Sequence, residues 1–196
     1  MLQIRIHGRG GQGVVTAAEM LSIAAFEQGR HAQAFPSFGS ERTGAPVVAF
    51  CRIDDREIRL REPILAPDAL IVQDPTLLHQ VDVFQGLQPD GWVLINSKRS
   101  FDELGVGEVA KRFRRERLRT VPATEIALKH LGRPLPNAVL LGGFAALTGI
   151  VTLDAVEHAI RDKFTGKVAD GNAGAAAEAY QIVRHALLEV AHAETD

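Results

Sequence analysis

A glycine-rich stretch between a predicted strand and a predicted helix constrains the fold of this chain more than any other feature. Residues 8–13 read Gly-Arg-Gly-Gly-Gln-Gly, with the spacing G-x-G-x-x-G. Polar and apolar side chains alternate over residues 2–7, which predicts a strand, and apolar residues at helical spacing predict a helix over residues 14–28 that ends at Gly29. Glycines allow the sharp turn between them, and free N–H groups at the helix start attract an anion such as a phosphate. The sequence therefore predicts a strand–turn–helix unit with an anion site.

The rest of the chain alternates between predicted strands and predicted helices. Further strands are expected over residues 31–35, 69–73, 92–96 and 118–121, and a hairpin over residues 47–53 and 57–60. Helices are expected over residues 75–83, 123–131, 138–149, 153–163 and 173–192. This order predicts an α/β fold with three α/β/α layers, a mostly parallel sheet, a β-hairpin and a helical C-terminal third. Residues 1–196 are expected to form a single domain, because no linker or repeat divides them.

The glycine motif does not by itself identify the anion. A dinucleotide-binding domain also carries an acidic residue about 20 residues further on, at the end of its second strand. Here that strand ends in Phe35-Pro36, which cannot accept the hydrogen bonds of a ribose. NAD binding is therefore the weaker interpretation, and no P-loop lysine followed by Ser or Thr supports nucleotide hydrolysis. A purely structural alternative stays open, in which the glycines only allow close packing of strand and helix.

A single cysteine excludes several kinds of redox centre from this chain. Cys51 alone cannot form an internal disulfide, ligate an iron–sulfur cluster or build a Cys-rich zinc site. The histidines are scattered rather than paired at metal-ligand spacing, so we expect no metal site. The basic residues within 111–119 are interpreted as a solvated surface, and no nucleic-acid partner is expected. No apolar run is long enough for a membrane span and the N-terminus lacks a secretory pattern, so we expect a cytoplasmic protein without a membrane partner.

Polar residues that follow the predicted strands mark one edge of the sheet. Asp74, Asn96 and Lys98 come directly after strands expected to be parallel, so they are expected at the same edge as the glycine turn. The long loop after residue 36 contains Glu41 and Arg42, and Arg42 is a candidate for binding a phosphate or a carboxylate. A local ion pair on a solvated loop is the alternative for Arg42.

Several stretches together are similar to one known family. The segment His7-Gly8-Arg9-Gly10-Gly11-Gln12-Gly13 continues into Val14-Val15-Thr16-Ala17-Ala18-Glu19, and the later loop contains Glu41-Arg42-Thr43-Gly44-Ala45-Pro46. Residues 73–78, 95–98 and 136–149 add further matches, so the similarity covers nearly the whole chain. With these motifs the chain resembles the gamma subunit of pyruvate and related 2-oxoacid:ferredoxin (acceptor) oxidoreductases. Thr43 stands where many relatives have an arginine.

The resemblance implies a role in a larger enzyme. Complexes of this family oxidatively decarboxylate a 2-oxoacid on thiamine diphosphate with Mg²⁺, and they pass the electrons through 4Fe–4S clusters to ferredoxin or another acceptor. They transfer the acyl group to coenzyme A. The resemblance implies that thiamine diphosphate and the clusters reside in partner alpha, beta and ferredoxin-like delta subunits. It also implies that this chain has no catalytic residue of its own and is not active alone.

By the same resemblance, the chain contributes to assembly and to the coenzyme A site. The residues expected at that site are Gly8, Arg9, Gly10, Gly11, Gln12, Gly13 and Arg42, with backbone N–H groups of residues 10–13 facing the diphosphate. Two alternatives remain: a scaffold subunit without ligand contact, or the same role in a complex acting on phenylglyoxylate, 2-oxoisovalerate or 2-oxoglutarate. An independent NAD-dependent oxidoreductase is a third and weaker interpretation.

Overall fold

A six-stranded sheet forms the centre of the molecule. The computed structural model describes residues 1–37 and 43–193, without the side chains of residues 191–193. The strands are β1 (Leu2–Arg9), β2 (His31–Pro36), β3 (Pro46–Asp54), β4 (Ala69–Val72), β5 (Trp92–Asn96) and β6 (Leu118–Val121). They lie in the order β2-β3-β1-β4-β5-β6. Strands β1, β4, β5 and β6 pair in parallel, whereas β3 is antiparallel to both of its neighbours. The carboxyl ends of the parallel strands therefore meet at one edge of the sheet.

The helices are α1 (Val14–Glu27), α2 (Gly107–Ala110), α3 (Ala123–Leu131), α4 (Asn137–Thr148), α5 (Leu153–Lys163) and α6 (Gly166–Ala193). All of them except the short α2 pack against one face of the sheet. The larger hydrophobic core joins α1, α3, α4, α5 and α6 to the strands. Helix α4 contacts β5, β6, α1, α5 and α6, which is why its sequence is apolar on nearly every side.

Turns and short helices cover the opposite face. A second apolar cluster contains Leu70 and Val93 of the sheet together with Leu77, Leu104 and Ala110 from the connecting segments. The cover consists mainly of the 3-10 turn Pro75–His79, the loop that follows it and the short helix α2. The sheet is thus enclosed on both sides, as expected, but by layers of very different depth.

A buried arginine of β1 holds loops against this second face, and it contacts a buried histidine of the same strand. Arg5 is 7% exposed and donates to the carbonyl oxygens of Val83 at 2.8 Å and Gln85 at 2.7 Å. Its Nε donates to Nε2 of His7 at 3.0 Å, which requires an unprotonated ring nitrogen. Burial, and next the charge of Arg5, lowers the pKa of His7 to about 3. His7 is therefore neutral at physiological pH.

The predicted strand over residues 57–60 is wrong. Strand β3 pairs with β1 along one edge and with β2 along the other, so no edge remains for a further partner. The segment is held by a side chain instead: Arg52, only 2% exposed, donates to the carbonyl oxygen of Glu62 at 2.6 Å. The antiparallel hairpin of this fold is β2 with β3.

The other predicted elements are confirmed, several with bounds that differ by one or two residues, and two differ by more. The helix expected over residues 75–83 is shortened to the 3-10 turn Pro75–His79. Helix α6 begins at Gly166 rather than at residue 173. Gly171 and Gly174 lower the helix propensity of its first turns, but both pack directly against His130 of α3, and this contact supports the helix where local preference does not.

Candidate functional site

The glycine turn leaves β1 at the carboxyl edge of the parallel strands and leads into α1. Gly11 and Gly13 have positive φ values of 91° and 67°, which residues with side chains rarely adopt. Gly13 is the N-cap of α1, and no side chain caps that helix. Gly8 is required for a different reason, because a Cβ there would overlap the side chain of Val14. Backbone conformation and close packing therefore both shape the turn.

The backbone N–H groups of the turn differ in their availability. The N–H of Gly10 donates to the carbonyl oxygen of Ala45 at 2.9 Å and is used inside the protein. Within residues 1–37 and 43–193, the N–H groups of Gly11 and Gly13 make no hydrogen bond. The first turn of α1 also has no acidic residue. Because the first N–H groups of a helix lack intrahelical partners and lie at the positive end of its dipole, this end of the turn can bind an anion.

Arg9 is held by protein groups around its guanidinium. Its Nε donates to Oδ2 of Asp74 at 3.2 Å, and its Nη1 donates to the carbonyl oxygen of Gly44 at 3.0 Å. Its Nη2 donates to Oγ1 of Thr76 at 2.7 Å and to Oε1 of Gln80 at 2.9 Å. Arg9 therefore ties the glycine turn to two neighbouring segments and acts mainly as a positioning residue.

Asp74 is the central acceptor beneath the turn. Its Oδ2 accepts from Nε2 of Gln12 at 2.9 Å, while Oε1 of Gln12 accepts from the N–H of Arg9 at 2.8 Å. Burial by itself would raise the pKa of Asp74. Hydrogen bonds from Thr76 and Gln12, together with the charge of Arg9, outweigh that effect and hold the pKa below its usual value. The side chain of Gln12, like that of Arg9, fixes the shape of the turn.

The loop that returns to β3 closes over the turn. Thr43 forms a parallel β-bridge with Gly10, and the N–H of Gly44 donates to the carbonyl oxygen of Gly10 at 3.1 Å. Glu41 and Arg42 directly precede this bridge and lie outside the described residues. The role predicted for Arg42 stays a prediction.

A cleft of about 430 Å³ opens beside Gly11 and Gly13. The rest of its lining comes from α1, from α3, α4 and the connection between them, and from α6 and the segment before it: Thr16, Leu131, Arg133, Leu135, Asn137, Phe164, Val168 and Asn172. Nδ2 of the buried Asn137 donates to the carbonyl oxygen of Gly13 at 3.4 Å, whereas Arg133 is exposed. Apolar walls with a few polar groups, at this volume, are typical of a site for part of a small organic ligand.

Sequence reasoning missed the far wall of the cleft. Arg133 belongs to a short connection, and Asn172 to the first turns of α6, so no local pattern links either residue to the glycine motif. Asn137 is the residue of this wall that the sequence could have identified, because it is a polar residue at the start of a mostly apolar helix.

The structure brings the predicted edge residues together only in part. Asp74 joins the glycine turn, as expected from its place after β4. Nδ2 of Asn96 donates to the carbonyl oxygen of Gln73 and to Oγ1 of Thr124, both at 2.8 Å, so it connects β5 with β4 and α3. Lys98 is exposed near Glu125 and does not line the cleft.

In the described part of the chain, the cleft is lined by apolar side chains and a few polar groups rather than by a cluster of titratable side chains. Among the described residues, no group of three or more His, Cys, Asp or Glu side chains could hold a metal ion. Burial raises the pKa of Cys51 to about 12, so this thiol stays protonated and unreactive. Within residues 1–37 and 43–193, no helix is long and apolar enough to cross a membrane. Fold and site together define an α/β protein in which a glycine turn at a helix N-terminus borders a cleft of about 430 Å³.

Comparisons with known proteins identify the family. The family model described as pyruvate ferredoxin/flavodoxin oxidoreductase matches residues 3–182. Pyruvate synthase subunit PorC of Methanothermobacter marburgensis is 50% identical over 185 residues, which cover 94% of this chain and 99% of that protein. The common gamma subunit of the pyruvate/ketoisovalerate oxidoreductases of Pyrococcus abyssi is 50% identical over 181 residues, covering 92% and 96%. The crystal structure of pyruvate oxidoreductase subunit PORC from Thermotoga maritima has a TM-score of 0.77 at 38% identity, covering 92% of this chain and 95% of that one.

This chain belongs to the pyruvate ferredoxin/flavodoxin oxidoreductase family. The resemblance to a gamma subunit is confirmed, and the chain is one subunit of a multi-subunit 2-oxoacid oxidoreductase. The expected α/β fold is confirmed with it.

Proposed function

We propose that this subunit works in a complex that oxidatively decarboxylates pyruvate to acetyl-CoA, and that its glycine turn holds the diphosphate of coenzyme A. Pyruvate is chosen because the most similar relatives are named for it. Thiamine diphosphate, Mg²⁺ and 4Fe–4S clusters are assigned to cytoplasmic alpha, beta and delta partners, with ferredoxin or another carrier as acceptor. A chain whose one cysteine is buried cannot ligate such clusters itself.

One observation carries the coenzyme A proposal. Among the described residues, the N–H groups of Gly11 and Gly13 make no hydrogen bond, and both glycines lie in the turn that leads into α1 and border a cleft of about 430 Å³. Backbone donors at a helix N-terminus bind phosphate groups without an added side-chain charge. The apolar wall gives the organic part of the coenzyme a surface to contact, and Arg133 supplies a cation for a charge-assisted hydrogen bond.

The predicted site residues then have two roles. Gly11 and Gly13 face the ligand. Gly8 and Gly10 are buried, and together with Arg9 and Gln12 they fix the turn through packing and internal hydrogen bonds. Binding affinity therefore depends on all six residues, although only some of them contact the coenzyme.

A pair of glycine variants tests the proposal in the assembled complex. Gly11 and Gly29 both have positive φ, and a Cβ at either position would meet no atom within 4 Å. Gly11→Ala and Gly29→Ala therefore impose a similar backbone strain, at the start and at the end of α1. We expect Gly11→Ala to weaken coenzyme A binding by about tenfold, the equivalent of roughly 1.4 kcal/mol, measured by isothermal titration calorimetry. We expect Gly29→Ala to leave the affinity unchanged. Equal affinities in both variants would contradict the proposal.

Two observations favour a scaffold role as the second candidate. Gly8 is explained by packing alone, and the guanidinium of Arg9 is held by the protein. If the subunit is only a scaffold, Gly11→Ala reduces the yield of complex without changing its affinity for coenzyme A.

The identity of the 2-oxoacid substrate is tested separately, by comparing the turnover of pyruvate by the complex with that of 2-oxoisovalerate, 2-oxoglutarate and phenylglyoxylate.

A further inference from the structure

A groove beside the edge strand β6 contains charged groups that neither the fold nor the proposed coenzyme A site uses. Its volume is about 500 Å³. Apolar side chains make up half of the residues that line it: Phe101, Ala110, Phe113, Leu118 and Val190. The remaining lining residues are Gly107 and four charged residues: Asp102, Lys111, Arg115 and Arg119. We call this feature the β6 groove.

Arg119 is incompletely satisfied in the groove. Its Nη1 donates to the carbonyl oxygens of Arg115 at 2.9 Å and Leu118 at 2.6 Å. Its Nε and Nη2 are buried and have no hydrogen-bond partner among the described residues. Burial, and next the charge of Arg115, lowers the pKa of Arg119, which means that the isolated chain disfavours this cation. A buried donor without an acceptor is costly, so a carboxylate in the groove would be favoured once the Arg119 side chain turns toward it.

The other charges give the groove a positive character. Arg115 is exposed and forms no ion pair within the described residues, whereas Lys111 pairs with Glu108 at the rim. Asp102 is the one acidic residue of the lining, against three cations. The nearby carboxylate of Glu116 offsets the effect of Arg115 on Arg119 only in part. Charge complementarity therefore calls for an anionic occupant.

We propose that the β6 groove docks an acidic segment of another subunit of the complex, with an Asp or Glu carboxylate reaching Arg115 and Arg119. Three observations favour a polypeptide over a small anion. Among the described residues, no strand pairs with the outer side of β6. Phe101, Phe113 and Val190 offer apolar contact to the side chains that flank a carboxylate. The chain also functions as one of several subunits, so partner subunits are present in the assembled complex to occupy the groove.

Zero-length cross-linking of the assembled complex tests whether a partner subunit contacts the β6 groove. A carbodiimide joins a lysine amine to a carboxylate in direct contact with it, and the side chain of Lys111 is 70% exposed. We expect mass spectrometry to find Lys111 linked to an Asp or Glu of a partner subunit, and this link to disappear in Lys111→Arg. If Lys111 is linked only to Glu108 of its own chain, the proposal is overturned.

A charge reversal tests the energetic role of the groove. Arg115→Glu and Arg56→Glu make the same charge change at exposed positions, but only Arg115 lines the groove. We expect Arg115→Glu to weaken retention of a partner subunit about tenfold and to release it at lower salt, whereas Arg56→Glu matches the unmodified complex. Equal retention in both variants contradicts docking. Binding of inorganic phosphate or citrate to the intact complex, lost in Arg115→Glu, would also overturn the proposal, because it would assign the groove to a small anion.

Discussion

At the residue scale, the glycine motif separates into residues that face the cleft and residues that hold the turn. The same six-residue stretch contains Gly11, whose N–H is unbonded within the described chain, and Gly10, whose N–H is bonded to Ala45. Arg9 has the charge of a phosphate ligand, yet Asp74 and its neighbours accept most of its hydrogen bonds. Sequence spacing identifies such a stretch, but only the contacts around it show which members reach a ligand.

His7 gives the second face of the sheet a dependence on pH. Burial and the charge of Arg5 lower its pKa from 6.5 to about 3, so between these values the unfolded chain binds a proton that the folded chain does not. The stability that neutral His7 contributes is therefore complete above about pH 6.5 and is lost as the pH falls toward about 3. The slope approaches about 1.4 kcal/mol per pH unit.

We expect His7→Gln to flatten this part of the pH profile, because a glutamine oxygen can still accept from Arg5 and does not titrate. The free energy of unfolding, measured with urea between pH 7 and pH 4, checks this expectation. His31→Gln makes the same substitution at an exposed position of β2 and serves as the control. Identical slopes for the unmodified protein and His7→Gln would show that His7 is not the titrating group.

At the element scale, the sequence predicts what local patterns decide. Helix α1 ends at Glu27, just before Gly29, and β5 and β6 have the predicted bounds, because side-chain periodicity and glycine position act within a few residues. Residues 57–60 fail as a strand because both edges of β3 are already taken, which is a property of the sheet. The glycine turn and Asp74 were predicted because local sequence patterns mark them. Arg133 was missed because its place beside the turn depends on how distant elements pack.

The contact between α4 and α6 depends on a single glycine. A Cβ at Gly142 would overlap the carbonyl oxygen of Ala176. A Cβ at Gly143 would instead meet side-chain atoms, those of Leu94 at 3.3 Å, Val183 at 3.4 Å and Val121 at 3.6 Å. Both substitutions gain about 1 kcal/mol of helix propensity. We expect Gly142→Ala to lower the free energy of unfolding by about 1–3 kcal/mol, because the helices must separate.

Gly143→Ala is the matched control in the same helix, and we expect it to stay within about 1 kcal/mol of the unmodified protein, because side chains can adjust. Urea unfolding of both variants measures the difference. Similar losses at the two positions would mean that α4 and α6 do not approach as closely as Gly142 allows.

At the scale of the whole molecule, the chain presents binding surfaces and no reactive centre among its described residues. The cleft beside Gly13 lies at the carboxyl edge of the parallel strands, and the β6 groove lies beside the last strand of the sheet. The one cysteine is buried in the core. Our proposals assign co-substrate binding to the cleft and partner docking to the β6 groove.

Amide hydrogen exchange of the assembled complex, with and without saturating coenzyme A, tests the role of the glycine turn most directly. Ligand bonds to the N–H groups at the start of α1 predict slower exchange in a peptide covering residues 11–16. Residues 25–30, at the other end of the same helix, provide the internal reference and are expected to be unchanged. Unaltered exchange at residues 11–16 in a complex saturated with coenzyme A would contradict the assignment of the diphosphate to this turn.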